Sequence, residues 1–146
     1  MREIQTKIDI DAPPRVVWQT LTDLRSYSEW NPHIVEAEGD HLEGSTVELR
    51  IERAEAKPRS MTVTVTDCDR YRRLRWVGHV VHPRLFEGRH TFELALLNEN
   101  KTRLYNSEKV SGLLAPFVVS DDTARDYEAM NEALAERAER RAAAAT

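Results

Sequence analysis

Residues 24–39 read "LRSYSEWNPHIVEAEG", and the fold is decided by where this stretch changes character. Up to Trp30 the pattern is that of a short helix: Tyr27 and Trp30 are three apart, with Ser26, Ser28, Glu29 and Asn31 as polar neighbours. The residue before a proline avoids the α region, so this helix stops at Asn31-Pro32. From Ile34 onward the side chains alternate as in a strand. The two rings are either waiting for a ligand or bolting a frame. A large ring with one polar handle suits either role, and these residues alone leave the question open.

Upstream, "EIQTKIDIDA" puts Ile4, Ile8 and Ile10 on one parity, a first strand ending near Asp11. "DAPPRVVWQTLTDL" then carries helix-start signals, with Asp11 as the candidate cap and prolines in the first turn. Val17, Trp18 and Leu21 make its inward stripe. Downstream, "HIVEAEG", "STVELRIERA", "SMTVTVTDCD", "RLRWVGHVV", "FEGRHTFELALL" and "TRLYNSEKVSG" form six strands joined by short turns. The period changes in the last third. From Leu114 to about Arg141, Val119, Thr123, Ala124, Tyr127, Met130, Asn131, Leu134 and Ala138 share one helical face, and charged residues occupy the other. Such a helix rests its apolar face on the sheet.

The chain has 146 residues, 40% hydrophobic and 32% charged, which fits one globular domain over 1–146 with a frayed tail at 142–146. No apolar run approaches the roughly 20 residues needed to span a bilayer. The opening "MREIQTKIDID" alternates like a strand and lacks a signal-peptide core, so a cytoplasmic location is expected. The single cysteine, Cys68, excludes an internal disulfide. A net charge of −4 gives no nucleic-acid footprint, and the Arg-rich "DRYRRLRW" is explained by strand alternation with Arg73 and Arg75 on the wet face. His79 and His82 are three apart on a strand, so their rings fall on opposite faces and no metal is expected. No Gly-rich phosphate loop or nucleophile elbow is present, and no cofactor is expected.

The order of elements is strand, two short helices, six antiparallel strands and a long helix. "IDAPPRVVWQTLTDLRSYSEWNP", "LRWVG", "LFEGRHTFEL", "TRLYNSEKVSGLL" and "YEAMNEALAERAE" resemble, in this order, blocks of the START-like (SRPBCC) superfamily in its polyketide cyclase/dehydrase branch. The resemblance spans the whole chain, and it implies that Trp30 and Tyr27 are framework, plugging the two small helices against the end of the sheet. It implies an α+β helix-grip fold: a curved antiparallel sheet of about seven strands, two short helices, and a long C-terminal helix over a cavity. The superfamily includes lipid carriers, aromatase/cyclases, receptors and chaperone activators, and the fold does not choose among them.

Function in such a fold belongs in the cavity, on the inward parity of the late strands. Period two turns Leu74, Trp76, Gly78 and Val80 inward, then Phe86, Gly88, His90, Phe92 and Leu94, then Leu104, Asn106, Glu108 and Val110. Turn geometry sets His90 opposite Glu108, Phe92 opposite Asn106, and Gly78 beside His90, leaving room for its ring. The candidate ligand-binding set is Trp76, Gly78, His90, Phe92, Asn106 and Glu108, with Tyr127 and Asn131 meeting the ligand from the helix. In the catalytic alternative, the Glu108 carboxylate orients the His90 imidazole, which acts as acid or base on a poly-carbonyl chain. In the bland one, Glu108 and His90 only satisfy each other across the sheet. Three functions remain open. One is binding of a small hydrophobic molecule (lipid, quinone or polyketide-like aromatic). The second is a cyclase or dehydratase, and the third an interaction module with a collapsed cavity. Monomer and homodimer are both compatible with an edge strand.

Overall fold

A computed structural model describes residues 2–54, 56–79, 82–118 and 122–145, with 117 and 118 described by backbone alone. Strand β1 (Arg2–Ile10) buries Ile4 and Ile10, as its alternation predicts. Helix α1 (Pro14–Thr22) follows, capped at Pro13 and not at Asp11. Proline tolerates the first helical turn because its missing N–H has no intrahelical partner there. The Asp11 N–H donates instead to Glu139 Oε2 at 2.9 Å. A 3-10 turn (Leu24–Ser26) leads into α2 (Tyr27–Trp30), which ends at Asn31 in extended backbone.

This junction answers the question raised by the two rings. Tyr27 is fully buried, its hydroxyl donates to the Leu21 carbonyl, and its ring meets Trp30 edge-on at 5.1 Å. Asn31 Oδ1 accepts from the N–H groups of His33 and Ile34, both at 2.9 Å, and so opens the next strand. Both rings are framework.

Six further strands follow: β2 (Ile34–Gly39), β3 (Thr46–Arg53), β4 (Ala56–Asp69), β5 (Arg73–His79), β6 (Glu87–Asn98) and β7 (Lys101–Ser111). They form one seven-stranded antiparallel sheet in the order β1-β7-β6-β5-β4-β3-β2, the helix-grip architecture expected. Strand β4 starts at Ala56, earlier than its alternation alone marks, and passes through Pro58. Among the described residues, β5 pairs with β4 only as far as Val63, so Pro58 lies on a stretch of β4 that no described residue of β5 pairs, the edge position a proline tolerates. Arg73 and Arg75, expected on the wet face, lie half-buried beside Asp67 at 3.2 and 3.6 Å.

The chain leaves β7 through Gly112, whose φ of +104° and close approach to the Leu85 carbonyl leave no room for a Cβ. Leu113 and Leu114 donate to the Arg84 and Leu85 carbonyls at 3.0 and 2.7 Å, so Leu114, expected inside a helix, is instead tied to the neighbouring turn. Within the expected long helix the described residues form α3 (Ala115–Val118) and α4 (Asp122–Ala144), and residues 119–121 lie outside the described residues. Tyr127, Met130, Asn131, Leu134 and Ala138 are buried on α4 as projected, joined by Ala135. Met130 and Leu134 are fully buried, each contributing about 1.5–3 kcal/mol. Residues 142–144, expected in a frayed tail, continue the helix, with Ala142 packed on the core. Val80 and Val119 lie outside the described residues. Among the described residues, no helix is long and apolar enough to cross a membrane.

Candidate functional site

Three strands and α4 converge on one polar cluster. The register pairs His90 with Glu108 and Phe92 with Asn106, as the short β6–β7 turn predicts. It does not pair Gly78 with His90: Trp76 stands there, and Gly78 faces Gly88. The two glycines make room for other groups. A Cβ on Gly78 would lie 2.7 Å from Met61 Cε, and one on Gly88 would lie 2.6 Å from Glu108 Oε1. The glycine of β5 thus seats a thioether, and that of β6 seats the carboxyl.

Hydrogen bonds run from His90 into the body of the protein. Its Nε2 lies 2.6 Å from Asn106 Oδ1, and Asn106 Nδ2 donates to Asn131 Oδ1 at 2.8 Å. Asn131 Nδ2 donates to Thr6 Oγ1 at 2.9 Å, and the Thr6 hydroxyl donates to the Asn106 carbonyl at 2.7 Å. Phe92 stacks on the imidazole at 4.5 Å. The ring is therefore oriented by Asn106 and Phe92, and not by the carboxylate proposed for that role. Glu108 Oε2 stands 3.7 Å from His90 Nδ1, beyond hydrogen-bond length.

Burial sets the protonation of this pair. It lowers His90 from 6.5 to about 4, against the opposing pull of the Asn106 bond and with nearby His33 adding to the fall. It raises Glu108 from 4.5 to about 7, with Arg59 pulling the other way. Near neutrality the imidazole is uncharged, so the 3.7 Å approach is not an ion pair. Burial also lowers His33, whose Nδ1 lies 2.8 Å from the Glu52 carbonyl.

Between the sheet and α4 lies a cavity of about 40 Å³. Its polar lining is His33, His90, Glu108 and Tyr127; Trp76, Met61, Leu49 and Ile51 are among its apolar walls. Trp76, Gly78, His90 and Glu108 thus stand at the cavity as the strand alternation predicts, and Tyr127 as the helical projection does. Phe92, Asn106 and Asn131 do not line it; they are buried behind the lining, where they hold His90. Among the neighbours that sequence reasoning missed, His33, Met61 and Arg59 matter most to the chemistry. His33 sits in the break after Pro32, where no period reveals its direction. Met61 reads only as one more apolar strand residue. Arg59, half-buried, falls on the inward parity of the early part of β4, paired with Ile51.

The other titratable side chains have local roles. His79 lies 3.2 Å from Glu87, and His82 Nδ1 accepts from the Arg84 amide at 3.1 Å. Burial, followed by Asp40, Asp69 and Glu43, raises the Cys68 thiol, which is the opposite of activation. Among the described residues, no three His, Cys, Asp or Glu side chains are grouped to hold a metal ion.

Residues 1–139 match the family described as "Polyketide cyclase / dehydrase and lipid transport". A comparison with curated protein sequences gives no match. Among solved structures, the Zhui aromatase/cyclase from Streptomyces sp. R1128 superposes with a TM-score of 0.76 at 20% identity, covering 96% of this chain and 94% of that one. Norcoclaurine synthase from Thalictrum flavum gives 0.73 at 9% identity, covering 96% and 95%. A START superfamily protein from Mycobacterium smegmatis gives 0.69 at 18% identity, covering 99% of both chains. At these identities the likeness carries the fold alone.

Proposed function

Because the chain belongs to the polyketide cyclase/dehydrase and lipid transport family, with a START-like helix-grip fold, we propose that it binds a small hydrophobic molecule between its sheet and α4. The observation that carries this reading is the cavity lining. His33, His90, Glu108 and Tyr127 meet there inside an otherwise apolar wall. Burying a carboxyl and two imidazoles is costly, and packing the sheet on α4 does not require them. A few polar groups convergent on an apolar hollow is the pattern of a ligand site.

The hollow is small as it stands. About 40 Å³ holds a few waters, whereas a drug-sized ligand takes roughly 300–1,000 Å³. Binding on this reading expands the cavity, and Met61 is the side chain best placed to yield. It is half-buried, lies over the bare Gly78, and turns about three flexible bonds. The ligand lies against Trp76 and Tyr127, with its polar end toward His90 and Glu108.

The enzymatic reading keeps the same cavity but exchanges the expected roles. His90, at about 4, is a weak base near neutrality; Glu108, at about 7, is poised to take and return a proton. A cyclase or dehydratase built on this site uses Glu108 as its acid–base group and His90 as its neighbour. Native mass spectrometry of freshly purified protein tests the first reading: a co-purified apolar molecule is expected, and a clean apo mass counts against it. Glu108→Gln separates the two, because a carrier keeps its ligand affinity within a few-fold while an enzyme loses turnover of a poly-carbonyl substrate.

A further inference from the structure

The hydrogen bonds behind the cavity have only one possible direction. The Asn106 backbone carbonyl can only accept, so the Thr6 hydroxyl spends its proton there at 2.7 Å. Thr6 Oγ1 must therefore accept from Asn131 Nδ2, at 2.9 Å. That leaves Asn131 Oδ1 to accept from Asn106 Nδ2, at 2.8 Å. Asn106 Oδ1 then faces His90 Nε2 at 2.6 Å, and that nitrogen carries the proton. The neutral imidazole has one N–H, so Nδ1, on the Glu108 side, is a bare lone pair. His33 is fixed in the same manner: its Nδ1 donates to the Glu52 carbonyl at 2.8 Å, leaving Nε2 unprotonated.

Glu108 adds a second acceptor, 3.7 Å from His90 Nδ1, and no hydrogen bond from the described residues reaches its carboxyl. With Glu108 ionised, the polar end of the cavity thus holds two facing acceptors that cannot satisfy each other. Arg59, near the carboxyl, offers charge without a hydrogen bond to it. Tyr127 has the one hydroxyl in the lining able to donate.

We propose that this cavity selects flat apolar ligands carrying a hydroxyl donor, and rejects the same skeleton carrying an ether or carbonyl oxygen in its place. The inference rests on the reading of the cavity as a ligand site, and it narrows the ligand class. A phenolic O–H gives its proton to His90 Nδ1 or Glu108. A quinone or ether brings only lone pairs; the Tyr127 hydroxyl can meet them, but His90 Nδ1 and Glu108 are left dry and unpaired. The rings of Trp76 and Tyr127 favour a planar body.

The test compares three probes of nearly equal size, p-cresol, p-xylene and 4-methylanisole, by ligand-observed NMR and tryptophan fluorescence. Working at about pH 8 keeps Glu108 mostly ionised, so that it accepts. The expected result is p-cresol binding about tenfold or more tightly than either of the others, and His90→Phe reducing that preference. Equal affinities, or tighter binding of 4-methylanisole, overturn donor selection and leave the apolar site standing. If none of the three binds up to its solubility limit, the ligand-site reading falls and donor selection with it. The wild-type comparison decides the matter even if His90→Phe folds poorly.

Discussion

Glu108→Gln is expected to make the protein more stable than wild type in mild alkali and no more stable in acid. In the fold, Glu108 titrates at about 7 instead of its ordinary 4.5, because burial disfavours the carboxylate. Its folded value lies above its unfolded one. At acid pH both states hold the proton and nothing is lost. As pH rises through about 4.5 the unfolded chain ionises first, and folding loses stability until the folded carboxyl also ionises near 7. A shift of this size corresponds to roughly 2–4 kcal/mol. Glutamine removes it, so urea unfolding across about pH 4 to 8 is expected to show the variant gaining that amount over wild type. His90 has the opposite sign. Its folded value of about 4 lies below 6.5, so its contribution is complete above 6.5 and is lost as pH falls toward 4. Between about 4.5 and 6.5 the two slopes oppose each other in the wild type, and the single substitution exposes the rise due to His90. Parallel curves for variant and wild type would show that the carboxyl is well solvated and not part of a dry site.

Asn106→Leu is expected to cost about 2–4 kcal/mol, the price of leaving the His90 N–H and Asn131 Oδ1 buried without partners. For a chain of this length the melting temperature falls by roughly 5–15 °C. Leucine is close in size, so a cavity is not the main cause. Asn106 is fully buried, and its amide joins β7 to both the imidazole and α4. Asn106→Asp gives a second readout, since a carboxylate against Nε2 raises the titration point of His90. Near-neutral stability of Asn106→Leu, with an unmoved His90 titration, would mean that the amide neither holds the helix nor fixes the ring.

Much of this was legible because short turns and period two leave little freedom. The His90–Glu108 and Phe92–Asn106 pairs follow from parity across a tight turn, and a shift between Leu96 and Asn98 absorbs the one extra residue. The Gly78 partner was not legible, since the connection from β5 to β6 is long enough to set its register by packing and not by turn geometry. Pro58 hid the start of β4 and with it the inward parity of Arg59, because a proline rules out a strand only where both neighbours are in place. The orientation of His90 was also hidden. An alternating pattern shows which residues face inward, but not that an amide two positions along, and a second amide on α4, take the bond that a carboxylate was expected to take. Cavity size depends on where one flexible thioether lies, which no spacing reveals.

Selective methyl NMR during a p-cresol titration asks most directly whether sheet and helix enclose a place for a guest. Shifts are predicted at the methyl groups of Met61, Leu49, Ile51 and Val63, with Leu96, Leu97 and Leu113 on the surface unmoved. Shifts confined to those three exposed leucines would contradict the account.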